Sequence, residues 1–172
     1  MKYFLGIDPG LSGALAFYDP IANELGVFDM PTHEIKTAGK KKRIIDMHSL
    51  AHLIDARRGD TRKALIEKVS AMPKQGVTSS FNFGFSAGCI QMAVVANMIP
   101  IELISPSTWK KNMGLSGDKM ESRKMASQLM PKHAHHWPLA KHDGRAEAAL
   151  LAYYSEQSHP MAPQRNKFED ML

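Results

Sequence analysis

"FLGIDPGLSGALAF", residues 4–17, places one carboxylate, Asp8, at the end of an apolar run and follows it with Pro9, Gly10 and Gly13. Two unrelated kinds of protein use such a stretch. One cradles a nucleotide phosphate in a glycine-rich turn; the other hangs a metal ion on the aspartate. The segment is neither G-x-x-x-x-G-K-[ST], since no lysine follows the glycines, nor G-x-G-x-x-G. A metal-binding aspartate needs partners, so the rest of the chain decides the reading.

Outward from this stretch, residues 2–8 read as a buried first strand, 14–18 as its return and 24–30 as a third strand, an antiparallel meander. "THEIKTAGKKKR" (32–43) lacks apolar periodicity and reads as an exposed basic loop. Asp46 reads as an N-cap, with Met47, Leu50, Ala51 and Ile54 on one helical face. "RKALIEKV" (62–69) is a short apolar strand carrying Glu67, and 71–80 is a loop by composition. Residues 81–99 are too long for a strand and read as helix; 99–105 is another strand. Short helices follow at 106–114 and 116–130, and a last one covers about 142–157. This order gives an α/β domain, a mixed sheet with helices on its faces. The expected domain spans 1–158, with 159–172 a loose tail. Sugar kinases and actin-like ATPases open with a similar strand, acid and glycine turn, but they need two such domains and 172 residues cannot supply both.

Composition narrows the partner. The chain is 44% hydrophobic and 23% charged, an ordinary globular balance. A lone cysteine, Cys89, cannot form an internal disulfide, which implies a reducing, cytoplasmic setting. No run reaches the length of a membrane span and no signal peptide is evident. Net charge is +5 and the pI about 9.3, with basic knots at Lys40–Arg43, Arg57-Arg58, Arg62-Lys63, Lys110-Lys111 and Arg123-Lys124. Several separated knots suit a phosphate-tracking surface, hence nucleic acid.

Three acidic positions stand out: Asp8, Glu67 between Ile66 and Lys68, and the pair Asp143 and Glu147 in "KHDGRAEAALLAYY". The last two are spaced i, i+4 and share a helix face, where like charges repel and invite a cation. Asp8 and Glu67 end strands, the edge of an α/β sheet where ligands collect. Scattered carboxylates of this kind equip a chain for magnesium, which takes hard oxygen ligands and keeps several waters. Each acid also has a plainer reading: Asp8 as a turn-starter, Glu67 paired with Lys68, Asp143 as a helix N-cap, Glu147 bridged to Arg145.

These segments carry a family likeness. "FLGIDPGLSGALAF" resembles the opening of RuvC-type Holliday junction resolvases, within the RNase H-like superfamily. "ALIEKV" and "KHDGRAEAALLAYY" resemble their second acidic strand and C-terminal acidic helix. "PKQGVTSSFNFGFSAG" and "ISPSTWKK" resemble the phage and prophage branch, and the likeness spans about residues 2–156. It implies an RNase H-like fold with a mixed five-stranded sheet and helices on both faces. It also implies Asp8, Glu67, Asp143 and Glu147 as ligands of two Mg²⁺ ions, with Mn²⁺ able to substitute. The implied reaction is phosphodiester hydrolysis leaving a 5′-phosphate, as paired nicks in four-way junctions by a homodimer, with no membrane or small-molecule partner.

The chain departs from that pattern in places. The aromatic wedge often found after the second acid is replaced by Ser70, and Phe81, Phe83 or Phe85 could take its role. At i, i+2, i+4 on a helix these three cannot share one face; core Phe81 and Phe85 with a free Phe83 is one arrangement. His142 could replace Asp143 as a ligand. "KHAHHW" (132–137) reads as a solvated loop rather than a soft-metal site. Lys74, Gln75, Ser79 and Ser80 form a donor-rich stretch near Glu67 suited to phosphate contacts. Lys110, Lys111, Lys119, Arg123, Lys124, Lys141 and Arg145 are candidates for the DNA-tracking surface, and Phe83 for a base contact. Met113, Met120, Met125 and Met130 are expected to pack helices. A non-catalytic nucleic-acid-binding module and a nuclease for structured RNA are the alternative functions.

Overall fold

The computed structural model describes residues 1–158 apart from 38, 72–75 and 117–118, and the side chains of 37 and 119. Five strands form the main sheet: β1 (Tyr3–Asp8), β2 (Ala14–Asp19), β3 (Glu24–Asp29), β6 (Thr61–Glu67) and β7 (Ile101–Ile104), in spatial order β3-β2-β1-β6-β7. The first three pair antiparallel, while β6 and β7 add in parallel. The sheet is therefore mixed.

Period-two alternation splits the strands between two apolar layers. Leu5 and Ile7 of β1, Leu15 and Phe17 of β2, and Ala64 and Ile66 of β6 face α1 (Met47–Asp55) and α2 (Val77–Ala96). Ala14, Ala16, Leu65 and Ile104 face α3 (Pro106–Asn112), α4 (Lys119–Leu129) and α5 (Asp143–Ser158). Asp46 caps α1 as its sequence implies, accepting from the Ser49 N–H at 3.0 Å. Ser105 caps α3, with Pro106 in its first turn.

The sheet-facing side of α5 is small: Ala146, Ala148, Ala149 and Ala152 are fully buried. Gly6 lies beneath it. A Cβ on Gly6 would stand 2.1 Å from Ala148 O and 2.4 Å from Ala152 N, so only glycine admits the helix backbone at this depth.

The structure corrects the sequence reading of 32–43. These residues are not a loop: β4 (Thr32–Thr37) and β5 (Lys40–Ile45) form a separate antiparallel hairpin, with Gly39 at φ +76° in its turn. Lys40 to Arg43 are exposed, so no buried face imposes the apolar alternation that marks a strand. Helix α2 also starts a turn earlier than expected, at Val77. Residues 131–136 are a 3₁₀ turn rather than a solvated loop: His133 is buried against Asn23 O at 3.1 Å and Trp137 is 2% exposed. The expected tail, 159–172, lies outside the described residues. Among those described, no helix is long and apolar enough to cross a membrane.

Candidate functional site

Strand register brings the first two acids together. Ile7 of β1 pairs with Ile66 of the parallel β6, so Asp8 and Glu67 end neighbouring strands. Two residues before each, Gly6 and Leu65 face α5, and period two turns both carboxylates to that face. There α5 begins with Asp143 and carries Glu147 one turn on.

Close glycine contacts set the approach. The Gly13 N–H donates to Gly10 O at 2.9 Å, closing the turn behind Asp8. A Cβ on Gly13 would meet Asp8 O at 2.2 Å. One on Gly144 would meet Ser12 O at 2.6 Å and Asp8 Oδ2 at 2.9 Å. The first turn of α5 thus sits directly on the Asp8 carboxylate.

Asp8 is half-buried among protein atoms, and its pKa is pushed up to about 7. Burial is the largest cause, followed by the fields of Glu147 and Glu67; the Gly10 N–H works weakly the other way and Asp143 adds to the rise. Glu67 is also raised, chiefly by burial. Its Oε2 accepts from Trp109 Nε1 at 2.8 Å, which favours the charged form against the field of Glu147. Glu147 Oε1 accepts from Lys110 Nζ at 2.7 Å and from the fully buried Ser122 hydroxyl at 3.0 Å. Trp109 and Lys110 come from the same helix, α3, which starts just beyond the end of β7 beside Glu67.

The donors are carboxylate oxygens held within one another's electrostatic reach, which suits Mg²⁺ or Mn²⁺. No group of three His, Cys, Asp or Glu side chains among the described residues converges on one point. Magnesium commonly takes only one or two carboxylates and fills its other positions with water and substrate oxygens. The donor chemistry fits on those terms, with the Lys110 ammonium already lying as a cation against Glu147.

Other residues singled out by sequence fall in different settings. Arg145 is tied into the fold: Nε and Nη2 each donate to Asp29 at 2.6 Å, and Nη1 donates to His136 O at 3.1 Å. The fork holds Asp29 below the usual carboxylate range. Lys110 is engaged with Glu147. Lys111, Lys141 and Ser79 are exposed, and Ser80 and His142 are half-buried. Arg123 has its Nε buried without a hydrogen-bond partner among the described residues. Phe81 and Phe85, 71% and 55% exposed, lie outside the core, while Phe83 is the half-buried one. Lys74 and Gln75 lie outside the described residues, as does the side chain of Lys119.

Sequence reasoning missed Trp109, Ser122 and the close packing of Gly6 and Gly144. Trp109 meets Glu67 across 42 positions, a contact that no local spacing encodes.

The different placement of Arg145 and Lys141 has a measurable consequence. Lys141→Ala is expected to reduce the slope of log affinity for DNA against log salt by about 1. Arg145→Ala is expected to leave that slope alone and to cost at most about 1 kcal/mol in melting experiments, because Asp29 is largely exposed.

A mixed five-stranded sheet in the order β3-β2-β1-β6-β7 with helices on both faces is an RNase H-like fold. Within that class the chain has a RuvC-like fold. It superposes on Thermus thermophilus RuvC with a TM-score of 0.53 at 16% identity, the match covering 91% of this chain and 96% of that one. T. thermophilus RuvC in complex with a Holliday junction substrate matches with a TM-score of 0.56 at 14% identity and the same coverage. No family model matches the sequence, and no curated protein does.

Proposed function

We propose that this chain is a divalent-metal-dependent endonuclease that resolves branched DNA, four-way junctions foremost, by paired nicks from a homodimer. The observation that carries the reading is Asp8 at the end of a RuvC-like sheet, its pKa pushed to about 7 by desolvation and the fields of Glu147 and Glu67. A carboxyl so destabilised as an anion gains strongly from a cation. When bound between these acids, two Mg²⁺ or Mn²⁺ ions supply a polarised water and neutralise charge on the attacking and leaving oxygens, giving 5′-phosphate products.

The chain's own residues do the rest. Asp8, Glu67, Asp143 and Glu147 would hold the ions. Trp109 fixes the rotamer of Glu67, and Ser122 that of Glu147. Lys110 holds Glu147 in place through its ion pair at 2.7 Å and lies where a substrate phosphate oxygen would meet it. Lys111, Lys141, Arg123, Ser79 and Ser80 supply phosphate contacts around the site, with Lys74, Gln75 and Lys119 beside them in sequence.

A second copy fits the exposed stripe on α2. Gly88, Met92 and Val95 follow at spacings of four and three residues on its outer face, with Met92 60% and Val95 44% exposed. Such a seam suits a partner helix. A two-fold dimer matches the two-fold symmetry of a junction. A DNA substrate and the lone cysteine agree with a bacterial or phage-infected cytoplasm.

The test is nicking of an end-labelled four-way junction. Wild type is expected to cut in Mg²⁺ or Mn²⁺ and to stop in excess chelator. Met92→Lys with Val95→Lys is expected to give monomers in sedimentation and unpaired nicks. A metal-independent cut, or no cut on any branched DNA, overturns the proposal.

A further inference from the structure

The β4–β5 hairpin springs from the floor of the candidate site. At its root the Met30 N–H donates to Gly13 O and the Asp46 N–H to Pro31 O, both at 2.9 Å. The hairpin therefore leaves the body at the turn behind Asp8. Two bonds lash its returning strand down: Arg43 Nη2 to the Ser12 hydroxyl and Lys42 Nζ to Asn82 Oδ1, both at 2.7 Å.

Between the hairpin and the first turns of α2 lies a groove of about 560 Å³. Ile44, Ile45, Met47 and Leu11 give it an apolar floor, and Phe81 and Phe85 form part of its wall. These two rings stack nearly parallel, 15° between planes with centroids 6.4 Å apart, and both are mostly exposed. Its rim carries two cations of β5, Lys42 and Arg43, while their neighbour Lys41 pairs with Glu34 across the hairpin. On its far side Arg43 also borders a polar cleft of about 350 Å³ with Ser12, Gly13 and Lys141, next to the start of α5.

The chemistry of the walls selects the occupant. An apolar floor with open aromatic faces takes flat unsaturated rings, and two adjacent cations beside it take successive negative charges. Duplex DNA offers the charges but hides the ring faces in its stack. An apolar protein helix offers neither the charges nor the rings. An unpaired strand of nucleic acid offers both, and base–aromatic stacking with a basic track is how single strands are held without sequence preference.

We propose that the β4–β5 hairpin and the N-terminal half of α2 form a groove for an unpaired DNA strand, which lays bases on Phe81 and Phe85 and phosphates on Lys42 and Arg43 as it runs toward Asp8. The inference rests on the nuclease reading for the identity of the nucleic acid, and it adds a substrate class: branched DNA with unpaired nucleotides next to the branch.

Fluorescence anisotropy on the full-length Asp8→Asn protein tests it without any need for cleavage. The probes are a forked duplex with one unpaired arm of about ten nucleotides, a blunt duplex and a fully paired four-way junction. The fork is expected to bind about tenfold more tightly than the blunt duplex. Phe81→Leu with Phe85→Leu keeps an apolar surface but removes the rings, and is expected to abolish that advantage while leaving duplex affinity unchanged. A 2-aminopurine in the unpaired arm is expected to change its emission on the protein with both rings intact and not on the variant lacking them. Equal affinities for fork and duplex, or equal losses on all probes, overturn the proposal. So does dissociation of a dimer by the Phe81 and Phe85 substitutions with loss of binding throughout, since the face then belongs to a second copy. A protein that prefers the fork yet, with Asp8 intact, cuts nothing refutes the nuclease reading alone. One that cuts junctions but treats fork and duplex alike refutes the groove alone.

Discussion

Asp8→Asn is expected to slow cleavage of a four-way junction by roughly a thousandfold or more, with junction affinity little changed. The substitution keeps the shape of the side chain and removes the charge that anchors a cation, which is worth several kcal/mol in the transition state. The same substitution is expected to stabilise the metal-free protein. With a folded pKa near 7 against 3.8 for the ordinary group, folded Asp8 binds its proton more tightly than unfolded Asp8 does. Its contribution to stability is therefore fully present at low pH, declines as pH rises from about 4 to 7, and is flat above that. Over this range the loss amounts to roughly 4 kcal/mol at 1.36 kcal/mol per pKa unit. The amide that replaces the carboxyl does not titrate, so the stability gap between variant and wild type should open across that window and close when Mg²⁺ is added at pH 8. A gap that is independent of pH, or a variant that still nicks junctions in Mg²⁺, removes Asp8 from the site.

Gly6→Ala is expected to cost about 3 kcal/mol or more, a large fraction of the stability of a domain this size. The added methyl would press on the backbone of α5 at Ala148 and Ala152, and a helix backbone cannot rotate away as a side chain can. Chemical denaturation with far-UV dichroism measures the loss. Gly84→Ala is the matched control: a Cβ there meets nothing within 4 Å, so the variant should gain up to about 1 kcal/mol of helix propensity. Equal stability for Gly6→Ala and wild type would mean that α5 lies farther from the sheet than its alanines imply.

Much of this architecture was legible in the sequence, for physical reasons that can be named. The strands of the main sheet alternate between two buried layers or are buried throughout, and burial writes itself into residue type. Asp46 and Pro106 mark helix starts through local chemistry, though the cap of the second helix is Ser105, one residue earlier than the reading at Pro106. The hairpin escaped because Lys40 to Arg43 are exposed and its pairing is satisfied backbone to backbone. The aromatic stripe escaped for a related reason: phenylalanines at helical spacing read as core, and only the tertiary fold shows that Phe81 and Phe85 point outward. At the candidate site, the four acids stood out as charges in apolar or crowded surroundings. Their supports did not, because Trp109 and Ser122 reach Glu67 and Glu147 over contacts 42 and 25 residues long.

The contact between Gly6 and α5 also governs when the site can exist. Asp8 belongs to β1, and Asp143 and Glu147 to α5, at opposite ends of the described sequence. Until α5 docks on Gly6, the carboxylates cannot share a field, whatever the rest of the sheet has done. A chain in which α5 has not docked therefore holds its four acids apart, and the contact that completes the fold is the same one that assembles the candidate site.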